Sequence, residues 1–239
     1  MDPAYLAAHL EEDRDHWWFR GRRAVILALL RRVLPPGSHR LLELGCGSGN
    51  VLETLAEFGE AVGMEADETL AAAGRPAGLD VRGGSLPHDR VVAAGWPDVA
   101  LFLDVLEHLD DDAAALRAAH AVLEPGGTLV VTVPAYRWLW SSHDVALGHR
   151  RRYGAAALRA LVASTGFTVT YLGFFNTLLL PAVALARGWK RLRGDGGHDL
   201  ARLPAAVNDA LARVFALEAA IVPRCRLPFG ASLLVVGRR

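Results

Sequence analysis

The sequence has little sulfur and no surplus of either charge. Two cysteines, Cys46 and Cys225, occur in 239 residues, which leaves no disulfide framework and no cysteine-based zinc site. A reducing compartment is the default, so the expected location is cytoplasmic. Twenty-six basic side chains balance 26 acidic ones, so the chain lacks the clustered positive charge from which a dedicated nucleic-acid binder draws its affinity. The N-terminus holds Asp2, His9, Glu11 and Glu12 and lacks the basic-then-apolar order of a signal peptide. One stretch, residues 160–186, is without charge, and about 20 apolar residues can cross a bilayer. It is interrupted by Ser164, Thr165, Gly166, Gly173, Asn176 and Pro181, and Phe167-Thr168-Val169-Thr170-Tyr171 alternates apolar with polar as a strand does. The stretch therefore reads as part of a water-soluble fold.

What is present is a hydrophobic content of 52%, enough for one domain, or one domain with a lid. From Leu41 onward, short apolar runs alternate with Ala/Leu-rich stretches, the layout of a parallel sheet covered by helices. Strands are placed near 40–44, 61–65, 80–83, 99–104, 128–133, 167–174 and 232–237, and helices over 50–57, 67–73, 111–123 and 154–164. Glu124-Pro125-Gly126-Gly127 stops the helix that Asp110 to Asp112 cap. Residues 5–34 read as helical with a break around Arg20-Gly21, ended by Pro35-Pro36-Gly37. The fold class is α/β: a Rossmann-like, seven-stranded, mostly parallel sheet with helices on both faces, an N-terminal helical flap (1–38), a core (39–175 with 230–239) and a helical lid insertion (176–229).

The strongest chemical signal is Leu41-Leu42-Glu43-Leu44-Gly45-Cys46-Gly47-Ser48-Gly49-Asn50, a buried strand ending in a glycine-rich turn that opens a helix. Glycines allow a tight turn and close approach of a ligand, and a helix start offers N–H groups to a negative group. Twenty residues after Gly45, Glu65 ends the second strand, where an acid accepts hydrogen bonds from ribose hydroxyls. Asn50 stands where a dinucleotide fingerprint wants Gly or Ala, and Glu43 lies two residues before the first glycine. A carboxylate there repels a pyrophosphate and suits a cationic amine or sulfonium, which favours S-adenosylmethionine over a nicotinamide dinucleotide.

Glu43-Leu44-Gly45-Cys46-Gly47-Ser48-Gly49, Glu65, Leu103-Asp104-Val105-Leu106-Glu107-His108-Leu109 and Val122-Leu123-Glu124-Pro125-Gly126-Gly127 together resemble the class I S-adenosylmethionine-dependent methyltransferases over residues 41–174. The resemblance implies S-adenosyl-L-methionine as cofactor and a small-molecule acceptor, and leaves the acceptor unnamed. It implies that Gly45, Cys46 and Gly47 contact the methionine end, Glu65 the ribose, Met64 the adenine, Ser85 and Leu86 the adenine edge, and Leu103 and Asp104 the methionine amino group. Similar enzymes often carry Asp where this chain has Gly84, leaving Ser85 and backbone groups at the adenine amine. Two rival readings stay open: a nicotinamide-dependent oxidoreductase, and an S-adenosylmethionine-binding protein without catalysis.

Other clusters admit a functional and a plain reading. In His16-Trp17-Trp18-Phe19-Arg20-Gly21-Arg22-Arg23, Trp18 can cover the cofactor and Arg22 pair with its carboxylate, or the tryptophans can seal a core and the arginines face solvent. Asp104, Glu107 and His108 resemble a metal-binding string of some methyltransferases, but three ligands are few for a closed site, and no metal is expected. His108 is a candidate base or a supporting histidine. After the fifth strand, Trp138 and Trp140 could stack a ring or a sugar of the acceptor, and His143 could take its proton with Asp144 fixing the tautomer. His149, Arg151 and Tyr153 could hold an acceptor carboxylate or phosphate, or could belong to a solvated helix start. Residues 176–229 hold two apolar helical stretches, 178–193 and 204–222, joined by a polar linker at 194–199. They could form a lid over an apolar or lipid-linked acceptor, a helical pair packed on the sheet, a homodimer face or a peripheral membrane contact.

Overall fold

A computed structural model describes residues 14–74, 77–193 and 203–239. Its sheet contains β1 (His39–Leu44), β2 (Gly59–Glu65), β3 (Val81–Gly83), β4 (Val99–Leu103), β5 (Thr128–Pro134), β6 (Thr168–Phe175) and β7 (Ser232–Arg238). They lie in the order β3-β2-β1-β4-β5-β7-β6. β1 pairs in parallel with β2 on one side and β4 on the other, β2 with β3, and β4 with β5. Every residue of β4 and β5 is buried, as continuous apolar runs must be when helices cover both faces of a parallel sheet.

The helices are α1 (Trp17–Val33), α2 (Asn50–Leu55), α3 (Glu68–Gly74), α4 (Asp112–Val122), α5 (Ser142–Leu147), α6 (Ala155–Ser164), α7 (Leu180–Arg193), α8 (Ala205–Ala216) and α9 (Glu218–Ile221). α4 starts where the Asp111 carboxylate accepts the Ala114 N–H at 2.7 Å, the side-chain cap that an acid supplies to an orphan donor. α5, a helix that the sequence pattern does not announce, has a comparable start, because Asp144 Oδ2 accepts the Ser141 N–H at 2.8 Å. No helix among the described residues is long and apolar enough to cross a membrane; the uncharged run is divided among the end of α6, β6 and the start of α7.

The chain forms two compact units. One comprises Met1–Val33, Pro134–Gly154 and Gly173–Leu233; the other comprises Leu34–Val133, Ala155–Leu172 and Leu234–Arg239. Flap and insertion, separate segments in the sequence division, fall in the same unit because α1 packs along α8. The expected break at Arg20-Gly21 is absent, and α1 runs through it. Gly21 is there for packing: a Cβ on it would come within 2.2 Å of Phe215 Cδ1. The Trp17 N–H donates to Asn208 Oδ1 at 2.8 Å and Arg20 pairs with Asp209, so α1 enters with its first turn held by α8. The expected 204–222 helix divides at Leu217 into α8 and α9. Residues 5–13 of the first expected helix and the 194–199 linker lie outside the described residues.

The root of the insertion is closed by hydrogen bonds between residues far apart in sequence. Glu218, fully buried, accepts the N–H groups of Thr177 and Leu178 at 2.7 and 2.8 Å, and the Ala231 N–H donates to the Asn176 carbonyl at 3.1 Å. Burial pushes the Glu218 carboxyl up, against the lowering effect of those backbone donors.

Candidate active site

The sheet reverses its winding between β1 and β4, the position at which open α/β sheets bind ligands beyond the strand ends. β1 leads into the glycine turn, where Gly45, Gly47 and Gly49 have φ of 74°, 58° and 80°, a region that penalises any side chain with a Cβ. Gly45 also faces the segment after β4, and a Cβ on it would stand 2.7 Å from Val105 Cγ2. A Cβ on Gly47 would meet nothing within 4 Å, so the turn is open there.

The N–H groups of this turn are arranged differently from the sequence expectation. Those of Gly45 and Cys46 donate to the Met64 carbonyl at 2.7 and 3.1 Å, and that of Gly49 to the Cys46 carbonyl at 3.0 Å. Gly47 N–H donates to Glu65 Oε2 at 2.8 Å, and Asp67 N–H to Glu65 Oε1 at 2.9 Å. These four donors of the turn therefore hold it together, because a loop this tight satisfies its backbone internally. Glu65 is in turn clamped by both oxygens, each of which keeps a second lone pair for an incoming hydroxyl.

The electrostatic sign of the cradle follows from its carboxylates. Glu43 is 2% exposed, and burial, then the charges of Glu43 and Glu65, push the Cys46 thiol far up. The same field favours a cationic ligand group. β4 contributes Leu103 and, directly after it, Asp104. Asp104 adopts φ 59°; its N–H donates to the Thr132 carbonyl at 3.0 Å and its Oδ2 accepts from Thr132 Oγ1 at 3.1 Å. Asp tolerates the left-handed region better than most residues with a Cβ. Met64 lies against Gly84, where an added Cβ would be 3.2 Å from its sulfur. Ser85 is exposed; its N–H is accepted by Asp89 Oδ2 at 2.8 Å, and Leu86 is half-buried. Glu107 is fully buried and His108 half-buried on the 3-10 turn Leu106–His108. Among the described residues, Asp104 shares no ligand-distance cluster with Glu107 and His108.

In the other unit, Ala135 and Tyr153 form a parallel bridge, with Tyr136 N–H donating to the Tyr153 carbonyl and Tyr153 N–H to the Pro134 carbonyl, both at 3.0 Å. Tyr136, at φ 55°, stacks between Trp138 (centroids 5.6 Å apart) and Phe174 (5.3 Å). Trp138 is exposed, and Trp140 and Arg151 are half-buried. Sequence reasoning missed Tyr136 and Phe174 as members of this stack; only their adjacency to strand ends signalled it.

Asp144 does not serve His143 as adjacency suggests. Its carboxylate takes His149 Nδ1 at 2.9 Å, Arg152 Nε at 2.7 Å and Arg152 Nη2 at 3.0 Å, besides the Ser141 N–H. Burial alone would raise the Asp144 carboxyl, but the hydrogen bonds of His149 and Arg152 and the Arg152 charge outweigh it and hold the carboxyl well below the usual range. The reason is reach: Arg152, buried beside it, offers a planar fork that matches a carboxylate. Arg152 Nη1 also donates to the Ala135 carbonyl at 3.0 Å, which ties the cluster to the start of the aromatic stack. His149 thus supports Asp144 through one ring nitrogen, and Tyr153 is buried. On α1, the buried Arg22 guanidinium lies 4.8 Å from the Trp18 ring centroid and 5.7 Å from that of Phe19, a cation–π arrangement.

A methyltransferase-domain family profile matches residues 17–172, more than half of the chain. The chain belongs to that family. This methyltransferase-family chain is 32% identical over 168 residues to a "Probable S-adenosylmethionine-dependent methyltransferase" of Mycolicibacterium smegmatis, a match covering 68% of the chain and 64% of that protein. It is 37% identical over 94 residues to a ubiquinone biosynthesis O-methyltransferase of Ruegeria pomeroyi, covering 37% of the chain and 38% of that protein. The chain therefore spans less than two thirds of the length of these curated relatives. Among solved structures, a SAM-dependent methyltransferase of Archaeoglobus fulgidus superposes with a TM-score of 0.62 at 20% identity, with all of both chains covered. Family and fold place the chain among the class I S-adenosylmethionine-dependent methyltransferases, whose cofactor is S-adenosylmethionine.

Proposed function

We propose that this chain passes a methyl group from S-adenosylmethionine to a nucleophilic oxygen on a small, apolar, lipid-linked ring. The observation that carries the cofactor half is the pair of carboxylates, Glu43 and Glu65, around an open glycine turn whose buried thiol is strongly disfavoured as an anion. That field attracts a sulfonium and an amine and repels a pyrophosphate. When bound, S-adenosylmethionine supplies an electrophilic methyl group, which moves to the acceptor as the carbon–sulfur bond breaks and leaves a neutral thioether.

The protein's own contribution is chiefly alignment. Glu65 accepts the ribose hydroxyls with the lone pairs its backbone donors leave over, and Glu43, Leu103 and Asp104 orient the methionine end. Gly47 lets the ligand approach the backbone. Met64, Ser85 and Leu86 serve the adenine, and Trp18 and Arg22 the cofactor's outer side. For the acceptor, Tyr136, Trp138 and Phe174 form a stacked aromatic platform that suits a planar ring. Trp140, Arg151 and Tyr153 belong to the same segment. A hydroxyl acceptor needs a base, and His143 or His108 takes that proton; Asp144 is committed to His149 and Arg152. The oxygen acceptor draws further support from relatives named as ubiquinone biosynthesis O-methyltransferases. A cytoplasmic setting accords with two cysteines that form no disulfide.

Calorimetric titration tests the cofactor half. S-adenosylhomocysteine binds and NAD does not, and Glu65→Ala weakens the former by at least about tenfold, the equivalent of one charged hydrogen bond. Equal, negligible heats for both ligands refute the reading, and NAD binding alone favours an oxidoreductase. Turnover with a polyprenylated catechol, followed by mass spectrometry, tests the acceptor half. Binding of S-adenosylhomocysteine without methylation of any phenolic acceptor refutes the ring-oxygen assignment.

A further inference from the structure

Helix α7 presents its apolar side to solvent. Leu178, just before it, and Pro181, Ala182, Leu185, Ala186 and Trp189 are all exposed, and Leu185 and Trp189 are exposed by 75% and 58%. These positions recur at spacings of three and four, so they form one stripe along the helix. The single charge between 178 and 189, Arg187, is half-buried, and its Nη1 donates to the Leu139 carbonyl at 2.8 Å. An exposed stripe of this kind, ending in a tryptophan, is unusual for a surface that faces only water.

Charge identifies the occupant. Residues 176–229 carry eight Arg or Lys and four Asp or Glu. Of those acids, Glu218 is fully buried and Asp209 is paired with Arg20. Directly after the stripe the sequence continues Trp189-Lys190-Arg191-Leu192-Arg193, all within α7. An isologous, antiparallel pairing of two copies would set each basic run against the uncharged start of the partner's helix, where no acid meets it, whereas an anionic lipid surface neutralises it. Apolar residues on one side, a tryptophan suited to the headgroup boundary and basic residues next to it are the features of a helix that lies in a membrane interface.

We infer that α7 docks the protein on the surface of an anionic lipid bilayer, with Leu178, Leu185 and Trp189 entering the headgroup boundary. This surface uses no residue of the cofactor cradle and does not depend on the methyltransferase reading. The test is flotation of the full chain with vesicles of phosphatidylcholine containing roughly one-third phosphatidylglycerol. The wild-type protein floats with these vesicles, stays below with pure phosphatidylcholine, and is released between about 0.1 M and about 0.5 M salt. Leu185→Ser/Trp189→Ser lowers the partition coefficient by at least about tenfold, while Val145→Ser, at a comparably exposed valine of α5, leaves it unchanged. Far-ultraviolet circular dichroism and the thermal unfolding midpoint stay at the wild-type values in both variants and report that they are folded. The inference is overturned if the wild type remains at the bottom with anionic vesicles. It is equally overturned if the double variant floats as well as the wild type, or if sedimentation without vesicles finds a dimer that the double variant disperses.

Discussion

Replacing Asp144 by Asn tests the electrostatic account of the 134–154 segment most directly. Asp144 is fully buried and Arg152 is 8% exposed, and the two share hydrogen bonds of 2.7 and 3.0 Å. The amide is nearly isosteric but removes the charge and one acceptor, leaving the buried guanidinium uncompensated. Breaking a buried pair from one side costs about 3–5 kcal/mol, and for a chain of this size each kcal/mol moves Tm by roughly 2–4 °C. Scanning calorimetry and urea unfolding should therefore find Asp144→Asn lower in Tm by about 6–20 °C. Asp144→Leu/Arg152→Met, which removes both charges, should lose less than the single change, since no orphaned ion remains. The pH dependence supplies a second readout. The Asp144 carboxyl is held well below its ordinary value, so its stabilisation is complete above the unfolded value of about 3.9 and is lost as pH falls from there toward the depressed folded value. Acid should destabilise the wild type more steeply than the Asn variant in that window. A variant within about 1 kcal/mol of wild type, or one with an unchanged acid slope, refutes the reasoning. Because Arg152 also holds the Ala135 carbonyl at 3.0 Å, the variant should raise the acceptor KM while S-adenosylhomocysteine affinity stays the same.

Two further substitutions probe the helical unit. Gly21→Val places carbon atoms where Phe215 now sits, 2.2 Å from the would-be Cβ; overpacking of this kind costs about 1–3 kcal/mol. Phe215→Ala in the same chain should recover part of the loss, and urea midpoints of the single and double variants check it. Glu218→Gln concerns the root of the insertion. Burial raises the Glu218 carboxyl, so the folded state holds that proton more tightly than the unfolded chain. Wild-type stability should fall as pH rises from the unfolded value of about 4.3 through the raised folded value. The Gln variant keeps a carbonyl for the Thr177 and Leu178 N–H groups and should be flatter with pH and more stable at pH 8; parallel slopes for the two proteins would sink this assignment.

The sequence by itself determined the sheet and its cofactor chemistry. Strand periodicity, the glycine turn after β1 and the acids at 43 and 65 are local features, so each could be placed within a few residues. The run from Val99 to Leu103 is apolar along its whole length, and its complete burial in β4 was legible for that reason. Gly21 marks the limit of local reading. Glycine next to arginine looks like a helix break, yet α1 continues because Phe215, far away in sequence, fills the space a side chain would occupy. The same limit applies to Asp144. Adjacency suggested His143 as its partner, but Arg152 and His149 reach it once residues 141–153 fold back.

Only the tertiary structure decided which polar groups of the glycine turn remain for a ligand. Composition cannot distinguish an N–H facing a cofactor from one donating to the Met64 carbonyl or to Glu65. Nor could hydrophobic periodicity reveal that the apolar side of α7 is left exposed. Hydrophobicity along the chain sets which residues avoid water when they can; which of them succeed depends on neighbours that sequence distance does not encode.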